Sequence, residues 1–246
     1  MQKTFSTSRK LKEQVRGILA ETSWERDFSH LITHVVRPQQ TISPLFASLY
    51  STSRSIRWHA VSCFGIATAE LAHHGKEHVR VVLRRCTWSL NDESGGIGWG
   101  APEAMAEIMA RNPEMAEEYA SILISFILER EQACNFLEYA PLREGAYWGI
   151  ARLAQVRPDL IRSWQEHILD AASCETSPFI LGAVCLIIAN SGITSHSARQ
   201  LLHEIQSRQD SILLYWDRAF WQTALGDLAR NGAPPHTSLL RDHALL

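Results

Sequence analysis

The segment most suited to chemistry or recognition is Asn91-Asp92-Glu93-Ser94-Gly95-Gly96-Ile97-Gly98-Trp99-Gly100, with four glycines in its last six residues. Glycine at this density permits positive φ and close approach of the backbone. No Gly-Lys-Ser/Thr follows, so the segment is not a Walker loop. It fits Gly-x-Gly-x-x-Gly only loosely, and no strand precedes it, which speaks against a dinucleotide site. Two readings stay open. The segment is either a rigid recognition loop presenting Trp99 beside acidic side chains, or a long connection whose Trp99 and Ile97 plug a core.

Charges of both signs surround it. Arg80, Arg84 and Arg85 fall on adjacent turns of the preceding helix, and Glu103 with Glu107 share a face of the following one. Arg57 and His59 open an earlier helix, and Arg143, Glu144, Tyr147 and Trp148 open a later one. The binding set read from this pattern is Arg57, Arg84, Arg85, Glu93, Trp99, Glu103, Arg143, Glu144 and Trp148, expected to meet as one partly exposed polar–aromatic patch. Structural ion pairing between neighbouring helices is the competing reading for each charge. Of the 24 basic residues 20 are arginine, the side chain that pairs with carboxylates through two parallel hydrogen bonds and stacks on rings.

Catalytic and metal chemistry find less. Glu70-x-x-His73 matches one half of a helical di-iron motif, but no second copy exists. His74 and His78 are separated by Gly75-Lys76, which interrupts a helix between them. Cys63 and Cys86 lie near His59 and Arg85 in sequence without a triad signature, and read as buried thiols. No catalytic residue, no metal and no cofactor are expected.

The elements that would position these groups read as helices. Residues 10–20, 24–36, 53–72, 77–90, 101–111, 114–130, 142–156, 159–172, 179–190, 195–208 and 212–230 carry apolar residues at helical period, and a short helix is placed after Ser43-Pro44. Breaks fall at Asn112-Pro113, Arg157-Pro158 and Ser191-Gly192. No strand alternation bounded by hairpin turns is evident. The expected fold class is all-α, and a sheet of three or more strands is incompatible with a solenoid running through it.

The breaks recur. Gly100-Ala101-Pro102 to Asn112-Pro113 aligns with Gly145-Ala146-Tyr147 to Arg157-Pro158, and the same small-residue rhythm runs from Trp58-His59-Ala60 to Leu71-Ala72 and from Leu181-Gly182-Ala183 to Ala189. The spacing, roughly 36–45 residues, is that of two-helix repeats. Over residues 54–230 the chain resembles HEAT and armadillo-like α-solenoids. That resemblance implies a right-handed α-α superhelix of about five to six stacked antiparallel helix pairs. Residues 1–52 would form an N-terminal helical cap, 53–230 the repeats and 231–246 a polar tail, in one continuous domain. Leu90 to Met105 is also similar to a segment of an uncharacterised bacterial group of such proteins, a likeness that carries no activity. The function implied is a non-enzymatic module binding a protein or peptide on a concave face. The alternative is a protein resembling the HEAT-like DNA alkylation-repair glycosylases, although no motif permits transfer of individual residues.

Composition bounds these readings. The chain has 246 residues, 46% hydrophobic and 20% charged, with a net charge of -2. Such a chain has enough apolar surface to fold, which excludes disorder. A neutral balance disfavours nucleic acid as partner. The longest apolar run, Phe179 to Ala189, is about half of the roughly 20 residues that span a bilayer, so no membrane partner is expected. The five cysteines are scattered without Cys-x-x-Cys spacing, and the N-terminus lacks the apolar core of a signal peptide. A cytoplasmic location is the expectation.

Overall fold

The computed structural model describes residues 8–91, 96–129 and 135–234, together with the backbone of 239–240. The chain divides into two compact units, the first running through Met115 and the second beginning at Ala116. Helix dominates both.

In the first unit, α1 (Ser8–Ala20), α2 (Trp24–His30) with a π-helical turn at Leu31–Val35, and α3 (Pro38–Leu49) precede the central helix α4 (Arg54–Ala72). Ser53 caps α4 by accepting a hydrogen bond from the Ile56 amide, leaving fewer orphan donors in the first turn. α4 is apolar or small along most of its circumference and is buried accordingly, with α1, α3, α5 (Lys76–Ser89) and α6 (Ala101–Arg111) packed around it. The small residues foreseen on α4 have a clear use. A Cβ on Gly65 would stand 2.7 Å from the Glu107 carbonyl oxygen, so α4 and α6 touch backbone to backbone there. At the far end of α6, the Asn112 amide donates to Thr68 Oγ1 at 3.3 Å and to the Ile108 carbonyl at 2.8 Å. His59, entirely buried, donates from Nδ1 to the Leu19 carbonyl at 2.8 Å and stacks on Trp24 with ring centroids 4.7 Å apart. This histidine holds α1 and α2 on α4.

α7 (Pro113–Ser125) follows the Asn112-Pro113 break and leads into the second unit. There α8 (Ala140–Val156), α9 (Pro158–Arg162), α10 (Gln165–Ser173), α11 (Pro178–Ser191) and α12 (His196–Gln206) succeed one another. α11 is apolar all round and packs against α8, α9 and the C-terminal elements, as a core helix should. No helix among the described residues is long and apolar enough to cross a membrane.

Three expectations are corrected. Residues 212–230 do not form one helix: β1 (Ser211–Trp216) and β2 (Ala219–Ala224) make an antiparallel hairpin, and α13 (Leu225–Asn231) begins only afterwards. A two-residue strand β3 (Leu239–Leu240) pairs with β2 and completes a three-stranded sheet. A continuous helical stack reaching residue 230 is thereby ruled out, although the molecule remains mostly helical. The reason lies in Tyr215, Trp216, Phe220 and Trp221, aromatic residues that favour a pleated, half-buried surface, around a two-residue turn. Asp217 and Arg218 both take positive φ, 48° and 65°, the pattern of a type I′ turn without its usual glycine. Second, the helix placed after Ser43-Pro44 starts earlier, with Pro38 in its first turn, and Pro44 lies inside it. Third, residues 159–172 are split at Ser163-Trp164 into α9 and α10.

Candidate functional site

The predicted binding residues divide between the two units, and each group has its own chemistry. Glu93 lies outside the described residues.

In the second unit, Arg143, Glu144 and Trp148 hold α8 in place. Arg143 donates from Nε and Nη2 to the two carboxylate oxygens of Glu175, at 2.6 and 3.3 Å. Its Nη1 donates to the carbonyls of Leu137 and Glu138 at 2.8 and 2.9 Å. Both side chains of the pair are largely withdrawn from solvent, 14% and 11% exposed. The hydrogen bond and charge of Glu175 raise the Arg143 pKa, so the guanidinium stays protonated. The next residue, Glu144, accepts a hydrogen bond from Ser177 Oγ at 2.7 Å. These contacts tie the start of α8 to the loop before it and to the segment leading into α11. Trp148 is 1% exposed and cannot be part of an accessible patch. Its Nε1–H donates to the Tyr215 carbonyl at 2.7 Å, and its ring meets Trp216 edge-on. A large aromatic on the inner face of a core helix gains more from packing and one hydrogen bond than from solvent. Tyr147 beside it is fully buried as well, and burial raises its phenol pKa beyond reach of acid–base work near neutrality.

The first unit holds the rest. Gly98 and Gly100 lie in the left-handed region, with φ of 70° and 71°. A Cβ on Gly98 would fall 2.5 Å from the Ser89 carbonyl oxygen, and one on Gly100 would fall 2.9 Å from Leu49. These two glycines let the loop lie flat between the C-terminal end of α5 and that of α3 before Gly100 starts α6. Trp99 between them is half-buried, whereas Ile97 faces outward. Arg57 and Glu103 are half-buried on α4 and α6. Arg84 is exposed and pairs with Glu77 along α5. Arg85 is exposed too, its guanidinium 4.0 Å from the centre of the Phe46 ring and its Nη1 donating to Ser43 Oγ at 3.3 Å.

Four exposed apolar side chains, at the end of α3, on α5 and on the loop, were missed by the sequence reading. Tyr50, Val81, Trp88 and Ile97 are 53%, 54%, 55% and 49% exposed. Ile97 adjoins Gly98, Trp88 adjoins the Ser89 that Gly98 touches, and Tyr50 adjoins the Leu49 that Gly100 touches. On α5 the buried stripe is Val79, Val82, Leu83 and Cys86, and Val81, Arg85 and Trp88 lie on the opposite face at i, i+4 and i+7. Their signal was present in the sequence as apolar residues out of phase with the core stripe. Val81 and Trp88 thus expose two large apolar side chains on one helix face, and such groups mark sites of interaction more often than single ones do.

Comparison with known proteins adds a relative but no activity. No protein-family model matches this chain. An uncharacterised protein of Archaeoglobus fulgidus is 29% identical over 146 residues, covering 56% of this chain and 72% of the relative.

No metal site or activated thiol is assembled among the described residues. Among the described residues, no three His, Cys, Asp or Glu side chains converge to hold a metal ion. Glu70 is half-buried near the end of α4, while His73, His74 and His78 are exposed around the turn into α5. Cys63, Cys86 and Cys185 are buried, and burial pushes the Cys86 and Cys185 thiols up to about 12, where no useful thiolate forms near neutrality. Arg85 next to Cys86 works in the opposite direction and is outweighed.

Proposed function

We propose that this protein is a non-enzymatic helical interaction module that binds a protein or peptide on the surface formed by the end of α3, the outer face of α5 and the loop before α6. The observation that carries the proposal is that half-exposed Val81 and Trp88 share the outer face of α5 with Arg85, while half-exposed Ile97 and Tyr50 adjoin Gly98 and Leu49, where the loop packs on α5 and α3. Trp, Tyr and Arg are the side chains most enriched among residues that dominate binding energy, and Trp88, Tyr50 and Arg85 lie here together. Gly98 packs against Ser89 and Gly100 against Leu49, which fixes the backbone next to Ile97 and lowers the entropy lost when a partner docks there.

HEAT-like stacking of helix pairs within each unit, ahead of the sheet that ends any such stack, is part of this proposal. Its support is that first helices of successive pairs pack on one another, α4 on α6 in the first unit and α8 on α11 in the second. A protein or peptide is favoured over nucleic acid because arginines of α5 are partly neutralised by Glu77 and the whole chain carries a net charge of -2. Arg143, Glu144 and Trp148 are left out of the binding surface, since their side chains are engaged within the second unit.

Quantitative affinity capture with wild type and Trp88→Ala tests the proposal, followed by binding of each differentially retained protein in purified form. A partner should be lost with the variant while its melting temperature is unchanged, because a half-exposed side chain contributes only about 0.5 kcal/mol to stability. Identical capture profiles would show that this surface is not used.

A further inference from the structure

Charge on the proposed surface says more about the partner. α5 carries Lys76, Arg80, Arg84 and Arg85 against Glu77, a balance of +3 on one helix, and α3 beside it has no charged residue at all. The rest of the chain compensates, since the total is -2. Three of these cations have carboxylate partners: Lys76 pairs with Glu114, and Arg80 and Arg84 share Glu77. Arg85 differs. It faces Phe46 and Ser43, and among the described residues no carboxylate pairs with it. A guanidinium has five N–H donors, and the ring of Phe46 fixes its plane without consuming them.

We infer that the partner docks as an acidic segment, one carboxylate taken by Arg85 and an adjoining apolar side chain seated against Val81 and Trp88. This inference rests on the interaction-module reading above and adds to it the chemistry of the partner. Val81 and Trp88 lie about 10 Å apart along α5 with Arg85 between them, a separation that a short peptide bridges with neighbouring side chains. A planar guanidinium held over a ring presents two parallel N–H groups, the arrangement a carboxylate accepts best. Nucleic acid and anionic membrane are the other anionic partners. Both are bound through many cations at once, and here, among the described residues, one guanidinium of α5 stands without a carboxylate, beside apolar side chains.

The test is selection of a random-peptide phage library on the full-length protein, with parallel selections on Trp88→Ala and Arg85→Glu. Peptides enriched on wild type should carry Asp or Glu next to an aromatic or aliphatic residue. A fluorescein-labelled synthetic copy of the strongest binder, followed by anisotropy, should lose about 30-fold in affinity with Trp88→Ala and about 100-fold with Arg85→Glu. Arg85→Lys keeps the charge but loses the paired, planar geometry, so about tenfold is expected from it. Binding should weaken as salt is added. Circular dichroism melts establish that each variant is folded, and Arg85→Lys carries the comparison should Arg85→Glu unfold. Enriched peptides without acidic residues, or equal affinity for wild type and Arg85→Glu, would overturn the acidic partner and leave the module reading standing. Failure of wild type to enrich any peptide over Trp88→Ala would overturn both. A short DNA duplex or a phosphatidylserine vesicle bound more tightly than every selected peptide, with the same dependence on Arg85, would also overturn the inference.

Discussion

Arg143→Ala is the perturbation that most directly separates a structural role from a binding one. In the wild type this guanidinium makes two hydrogen bonds to Glu175 and two to backbone carbonyls of Leu137 and Glu138. Its truncation leaves a carboxylate only 11% exposed without its cation, and two carbonyls without their donor. Breaking a buried pair by removing one partner costs about 3–5 kcal/mol, chiefly the price of the stranded charge. At about 3 °C per kcal/mol for a chain of this size, the melting temperature should fall by about 9–15 °C. Replacing both partners with apolar residues of similar volume, Arg143→Met with Glu175→Leu, should recover most of the stability, since neither charge is then buried alone. Calorimetry or urea unfolding at neutral pH provides the measurement. A fall of under about 0.5 kcal/mol for Arg143→Ala would match an exposed side chain and refute the structural assignment.

Three further outcomes follow from other parts of the molecule. Arg218→Gly should stabilise the protein by about 0.5–1 kcal/mol in urea titration, because an L-residue at positive φ is strained and glycine is not, and an unchanged or lower midpoint would count against the type I′ turn. Of the four described cysteines, Cys174 alone is exposed, so brief alkylation of native protein followed by peptide mapping should modify it and leave Cys63, Cys86 and Cys185 intact. Hydrogen bonds from Ser23 to Asp27, from Arg84 to Glu77, from Arg157 to Asp159 and from Arg208 to Asp210 hold these carboxyls below their ordinary values. A lowered folded-state value means stability that is present above about pH 4 and lost as pH falls through it. The melting temperature should accordingly drop on acidification below about pH 4, and a flat profile there would refute these pairings.

Helix identity was legible in the sequence because it depends on local rules. Apolar period and the breaks at Asn112-Pro113, Arg157-Pro158 and Ser191-Gly192 place α4, α6, α8 and α12 to within a few residues. The small residues of α4 announced close helix contact, which Gly65 against Glu107 makes concrete. The C-terminal hairpin was not legible. Ile212 to Ala224 offers near-continuous apolar character that suits a buried helix as well as a strand, and its turn, Asp217-Arg218, lacks the glycine that signals a reversal.

Residue types at the candidate site were also only half informative. Trp148 and Trp88 look equally fit for recognition in the sequence, yet one is 1% and the other 55% exposed. Local spacing assigns each to a helix but not to the side that a distant element will cover. Trp148 is covered because Tyr215 and Trp216, more than sixty residues on, pack against it. Arg143 is likewise enclosed by Glu175 rather than left for a ligand. Spacing along the chain fixed which residues could share a helix face. Burial, and with it the division between structural and available side chains, depends on long-range contacts whose free energy is set by the apolar surface and charges that meet there.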